Sequence, residues 1–127
     1  MRRLVLLALL APLVSACGGH GKSSASDTVA HWVSLEHLPK QAVSGAAIFD
    51  SAKCTVCHTY AGSGSTRLGA PDLTAIGSRH FGIRFQVAHL KCPSCVIPGS
   101  PMPPSRSLGP RQLHQLAVFL EASKGTH

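Results

Sequence analysis

Cys54-Thr55-Val56-Cys57-His58 places two thiols and an imidazole within five residues. Each thiol can add to one vinyl group of a porphyrin, and the two intervening residues set the thiols about one helical turn apart. His58 follows at once, so its ring can ligate an iron at the porphyrin's centre. The pentapeptide reads as a c-type attachment site for one covalently bound haem c. A competing chemistry uses the same thiols: Cys54, Cys57, Cys92 and Cys95 form two C-x-x-C knuckles that would suit a structural zinc ion. The 34-residue gap between the knuckles exceeds the usual ribbon spacing, and zinc gives His58 no role.

The elements that must position these groups are short. Val43 to Ala52 carries Ile48 and Phe49 on a background of Ala and Gly and leads straight into the cysteines. Leu73 and Ile76 predict one helical turn, with Gly77 as its C-terminal cap. Ile83, Val87 and Leu90 fall at helical spacing, as do Leu113, Leu116, Ala117 and Leu120, and Pro110 suits the first turn of that last helix. No stretch alternates with β-branched residues, so sheet content should be minimal. The predicted class is all-α, with three to five short helices. So little helix buries little apolar surface, and a haem would supply the missing core.

The N-terminal third bounds the compartment. Arg2 and Arg3 precede an uncharged apolar run from Leu4 to Val14, the length of a secretory signal core and short for a membrane span. Leu13-Val14-Ser15-Ala16-Cys17 resembles the lipobox of bacterial lipoproteins, which implies removal of residues 1–16 and acylation of Cys17. The alternative is ordinary signal cleavage, with Cys17 left as a spare thiol. Lipidation uses up the odd one of five cysteines, haem takes Cys54 and Cys57, and Cys92 and Cys95 remain free to form a disulfide in an oxidising compartment. Residues 17–40 then form the lipidated Cys and its tether, and residues 41–127 form one small domain. The Gly/Ser-rich stretch from Gly18 to Asp27 reads as flexible, spanning roughly 17 Å per ten residues. Val29, Trp32, Val33, Leu35 and Leu38 predict that the segment from Thr28 to Lys40 packs on the domain.

Most of the exported part resembles a bacterial class I cytochrome c. The resemblance is carried by Gly45-x-x-x-Phe49, the attachment pentapeptide, Leu68-Gly69-Ala70-Pro71-Asp72-Leu73 and Ile76-Gly77-Ser78-Arg79. It continues through Val96-Ile97-Pro98-Gly99-Ser100-Pro101-Met102-Pro103 and a last helix with Leu116 and Phe119. It implies a helical fold around haem, with the first and last helices crossing near Gly45 and Phe119. It also implies a hydrogen bond from the His58 ring to the Pro71 carbonyl, although Ala70 is one residue more than the commonest Gly-Pro form. Leu73 would pack on the haem face. Arg79 would either neutralise a propionate or lie at the surface. Cys92 and Cys95 depart from the family pattern; beside a local disulfide, a redox-active dithiol coupled to the haem is the sharper reading.

Once the signal is removed, Met102 is the only methionine left. Held between Pro101 and Pro103, its thioether would be the sixth ligand and raise the potential relative to two imidazoles; otherwise Met102 fills a gap in the core. His80 and His89 are its rivals. His20, His31, His37 and His127 lie in tether or terminal segments, and His114 lies on the polar edge of a predicted helix. Two strong protein ligands leave no open coordination position, so the expectation is an electron carrier and not an enzyme, with no small-molecule substrate. The alternative is a haem subunit of an oxidoreductase complex, for example in sulfur-compound oxidation. Without Arg2 and Arg3, ten basic residues face five acids. That balance predicts acidic redox partners, and export excludes nucleic acid. The protein is thus expected on the periplasmic side, held to a membrane by lipid.

Overall fold

A computed structural model describes residues 24–126. The signal segment, Cys17, His20 and His127 lie outside the described residues. The architecture is mostly helical: α1 (Ala25–Leu35), α2 (Val43–Ser51), α3 (Ile83–Lys91), the single turn α4 (Pro93–Val96) and α5 (Pro110–Ala122). One two-residue antiparallel ladder pairs β1 (Thr59–Tyr60) with β2 (Ser63–Gly64), in the register Thr59 to Gly64 and Tyr60 to Ser63. Among the described residues no helix is long and apolar enough to cross a membrane.

The first helix corrects the expected flexible chain at Ser24 to Asp27, and it packs on the domain as the apolar residues from Thr28 to Lys40 predict. Ser24 and Asp27, placed above in flexible chain, form a reciprocal capping box. The Ser24 hydroxyl accepts from the Asp27 N–H at 3.3 Å, and the Asp27 carboxylate accepts from the Ser24 N–H at 3.0 Å. The Ser24 backbone N–H first, and then the Ser24 hydroxyl, lower the pKa of the Asp27 carboxyl from its ordinary value. Helix α1 delivers Trp32, which is fully buried, and its indole N–H donates to the Ser63 hydroxyl at 3.3 Å. Truncating a buried ring of this size typically costs about 3–5 kcal/mol, so residues 24–40 belong to the domain. The far end is tied back as well, with the Thr126 N–H donating to the Glu36 carboxylate at 3.1 Å.

Trp32 enters an aromatic cluster with Phe49, Tyr60 and Phe119, whose ring centroids lie 4.9 to 5.8 Å apart. Ser123 donates its only hydroxyl proton to the Phe119 carbonyl at 2.8 Å, so at 2.9 Å the Tyr60 hydroxyl must be the donor to Ser123. The cluster lies where α2 crosses α5, and that crossing depends on Gly45. A Cβ there would sit 2.1 Å from the Gln115 carbonyl oxygen and 2.5 Å from the Phe119 Cβ.

Leu73–Ile76 differs from its expected helical turn. A 3₁₀ turn runs from Ile76 to Arg79 and is closed by His80 in the left-handed region. Gly77 is not the cap. It lies buried against the end of α5, where its N–H donates to the Ser123 carbonyl at 2.8 Å and a Cβ would sit 2.2 Å from the Glu121 carbonyl oxygen.

Candidate functional site

The pentapeptide Cys54–His58 starts where α2 stops. Lys53 adopts the left-handed conformation (φ 60°) and turns the chain out of the helix. Cys54–Val56 then forms a 3₁₀ turn, and both the Cys57 and His58 N–H groups donate to the Cys54 carbonyl, at 3.2 and 2.9 Å. Side chains three apart eclipse on a 3₁₀ turn, so Cys54 and Cys57 share one face. The turn's other carbonyls are taken up by the segment that follows β1. Ser65 N–H donates to Thr55 and Arg67 N–H to Cys57, at 3.1 and 3.0 Å, while the Ser65 hydroxyl donates to Val56 at 3.1 Å. Gly64 (φ 90°) permits this lacing, because a Cβ would meet the His58 carbonyl oxygen at 2.4 Å. Neither Gly64 nor Ser65 carries a sequence signal for this role.

His58 Nδ1 lies 2.9 Å from the Pro71 carbonyl oxygen. A carbonyl can only accept, so Nδ1 carries the proton and Nε2 keeps its lone pair for a metal. The additional Ala70 is absorbed by a tight turn: its N–H donates to the Arg67 carbonyl at 2.8 Å, and Leu68 and Gly69 between them both take positive φ. Left-handed backbone at both central positions marks a type I′ turn.

Cys54, Cys57, His58, Leu73, Arg79 and Met102 all line one cavity of about 450 Å³, and Pro71 lies on its wall. The volume falls in the roughly 300–1,000 Å³ range of small-molecule sites. Phe49, Leu116 and Leu120 form its floor, and Ile97, Phe81 and Leu68 line it while remaining 48%, 42% and 80% exposed. Two arginines, Arg67 and Arg79, line it and no carboxylate does. The groups fit a covalently held haem: two free thiols on one face, an imidazole with a fixed tautomer, a thioether and otherwise mostly apolar walls.

Of the two rival histidines, His80 is exposed and does not line the cavity, whereas His89 does line it. Burial, and then the nearby His58, lower the affinity of His89 for a proton. The aromatic stripe Phe81, Phe85, His89 at i, i+4 and i+8 was the missed signal for this wall. Phe81 stacks on Phe85 at 4.6 Å and Phe85 on His89 at 6.1 Å. His31, His37 and His114 are exposed. Cys92 and Cys95 are joined as a disulfide. The four C-x-x-C thiols therefore do not converge, and among the described residues no three His, Cys, Asp or Glu side chains form a group able to hold a metal ion.

Burial pushes the Cys54 thiol up to about 11. In a haem-free Cys57→Ser chain, alkylation of Cys54 at pH 8 should therefore run roughly 100-fold slower than in an open chain, because the thiolate fraction falls tenfold per pH unit below the pKa. The rate should climb until about pH 11. A plateau near pH 9, the ordinary range of a free thiol, would show that the thiol is not buried. Comparison with models of known protein families, with curated proteins and with solved structures returns no match.

Proposed function

We propose that this protein is a monohaem c-type cytochrome, exported and tethered to a membrane through Cys17, that carries single electrons between protein partners. The observation that carries this reading is the convergence of Cys54, Cys57, His58 and Met102 on one mostly apolar cavity, with His58 oriented by the Pro71 carbonyl. Haem c, when bound, supplies the one-electron chemistry. Cys54 and Cys57 would hold it by thioether bonds, and His58 and Met102 would ligate its iron. Leu73 and the floor residues exclude water, which limits reorganisation when charge changes. The hydrogen bond at His58 Nδ1 raises the basicity of the other ring nitrogen and keeps the ring from turning.

The cavity mouth also supports a protein partner over a small substrate. Leu68, Phe81 and Ile97 expose apolar surface there, and Arg67 and Arg79 stand beside it with no acid on the lining. Such a rim suits an acidic redox protein, whose association would slow as salt screens the charges.

A reduced-minus-oxidised spectrum of membranes containing the protein should show the sharp bands of a low-spin haem c. Replacing Met102 by Ala should abolish the weak far-red sulfur-to-iron band. A colourless chain that unfolds with a chelator would sink the proposal. A far-red band retained in the Ala variant would remove Met102 from the ligand set.

A further inference from the structure

Two imidazoles line the cavity, and only one of them has its partner. His58 Nδ1 is bonded to the Pro71 carbonyl, whereas His89 Nδ1 is buried with no hydrogen-bond partner. A buried polar group left unmatched is destabilising, and its presence calls for an explanation. His89 comes from the last turn of α3, and its ring lies within 4° of parallel to Phe85, so a rigid element sets its direction.

Met102 is held quite differently. Its loop carries Pro98, Pro101, Pro103 and Pro104, none of which can donate a backbone hydrogen bond. The hydrogen bonds it does make are few: Ser100 N–H to the Ile97 carbonyl at 3.0 Å and Met102 N–H to the Ser100 hydroxyl at 3.3 Å. The loop is anchored at its two ends. Ile97 N–H donates to the Pro93 carbonyl at 2.8 Å, and Ser105 N–H donates to the Leu90 carbonyl at 2.9 Å. Both anchors meet where α3 ends and α4 begins, and the Cys92–Cys95 disulfide spans that junction. Cys92 lies three residues after His89, and Cys95 lies seven before Met102.

We propose that His89 is a reserve ligand for the metal position that Met102 serves, and that the Cys92–Cys95 disulfide decides between them. This rests on the haem reading above. With the bridge closed, the loop is pinned and the sulfur is presented at high effective concentration. A dithiol reductant can reach Cys95, which is exposed. The S–S bond then breaks, taking two electrons and two protons to give two thiols, while the dithiol becomes a disulfide. Opening the bridge frees one anchor of the Met102 loop and leaves α3 in place, so the imidazole displaces the thioether. A bis-imidazole centre has the lower potential. The bridge thereby makes the potential of the carrier sensitive to the thiol poise of its compartment, a role that the electron-transfer reading alone does not give to Cys92 and Cys95.

The test uses the full-length, haem-loaded chain, reoxidised so that the iron is ferric, with helical circular dichroism to show that each variant is folded. Wild type should show the far-red sulfur band. Cys92→Ser with Cys95→Ser should lose it, gain the low-spin signature of two imidazoles in electron paramagnetic resonance and fall in midpoint potential. Met102→Ala should show the same low-spin signature without any change at the cysteines. Adding His89→Phe to Met102→Ala should turn the iron high-spin. A sulfur band retained in the double Ser variant would overturn the gate, and a high-spin Met102→Ala would overturn His89 as a ligand. Either outcome leaves the haem reading standing, whereas a folded wild-type chain without a haem spectrum would overturn both.

Discussion

A chain carrying Cys54→Ser together with Cys57→Ser should hold no haem after denaturing electrophoresis, while wild type should stain strongly. Axial ligands are lost when the chain unfolds, and only thioether bonds survive. Cys54 and Cys57 are the free cysteines among the described residues, and both lie on the cavity wall. Each single Ser variant keeps one bond and should stain with reduced yield. Staining that persists in the double variant would place the attachment elsewhere and sink the assignment. The loss should lower stability as well. Haem would cover the apolar walls of this cavity, among them Phe49, Leu116 and Leu120, and so remove apolar surface from water. The double variant is expected to keep its helices and to unfold earlier in denaturant than the loaded protein.

Gly45→Ala should destabilise the protein although it improves the helix. Two effects oppose each other. Alanine in place of glycine inside α2 favours the helix by about 0.5–1 kcal/mol. The new Cβ would stand 2.1 Å from the Gln115 carbonyl oxygen and 2.5 Å from the Phe119 Cβ, and neither belongs to a flexible side-chain end that could swing away. The α2–α5 crossing must open instead, and overpacking of this kind costs about 1–3 kcal/mol, with a backbone overlap so short placing it at the upper end. The net expectation is a loss of about 2 kcal/mol, or roughly 8–16 °C in Tm for a domain near 100 residues. Thermal unfolding of the two chains measures it. A variant melting at or above wild type would show that α2 and α5 do not cross closely at this point.

Some of this architecture could be read from local chemistry. The extent of α5 follows from its apolar spacing and from Pro110, and the structure runs it from Pro110 to Ala122. Helix α3 was placed by Ile83, Val87 and Leu90, and it spans Ile83 to Lys91. Its other face was not foreseen. Gln86 is buried and its amide donates to the Glu121 carboxylate at 2.8 Å, while Phe85 and His89 turn to the cavity. A polar residue on a short helix gives no sign of whether a partner will meet it from a distant segment. The start of α1 is a different kind of miss. Ser24 and Asp27 carry the spacing of a capping box, followed by Val29, Trp32 and Val33 at helical intervals. The signal was present and was outweighed by the Gly/Ser composition just before it. Gly77 shows the reverse error, since a glycine after two apolar residues resembles a cap when its neighbour across the fold is unknown.

The pentapeptide's own geometry is a local matter. Three residues of covalent spacing and one turn of backbone put Cys54 and Cys57 on one face, so the sequence by itself determined what chemistry Cys54, Cys57 and His58 can share. Which residues meet them is not local. The cavity draws its walls from Phe49 to Leu120, and the rotation of each helix about its axis selects which side chains face inward. That rotation is set by close approaches such as Gly45 on Gln115 and by the tying of the Met102 loop to the end of α3. Only the tertiary structure could separate His89 from His80, two histidines nine positions apart that look alike as ligands in the sequence. Packing turned one into the cavity and left the other exposed.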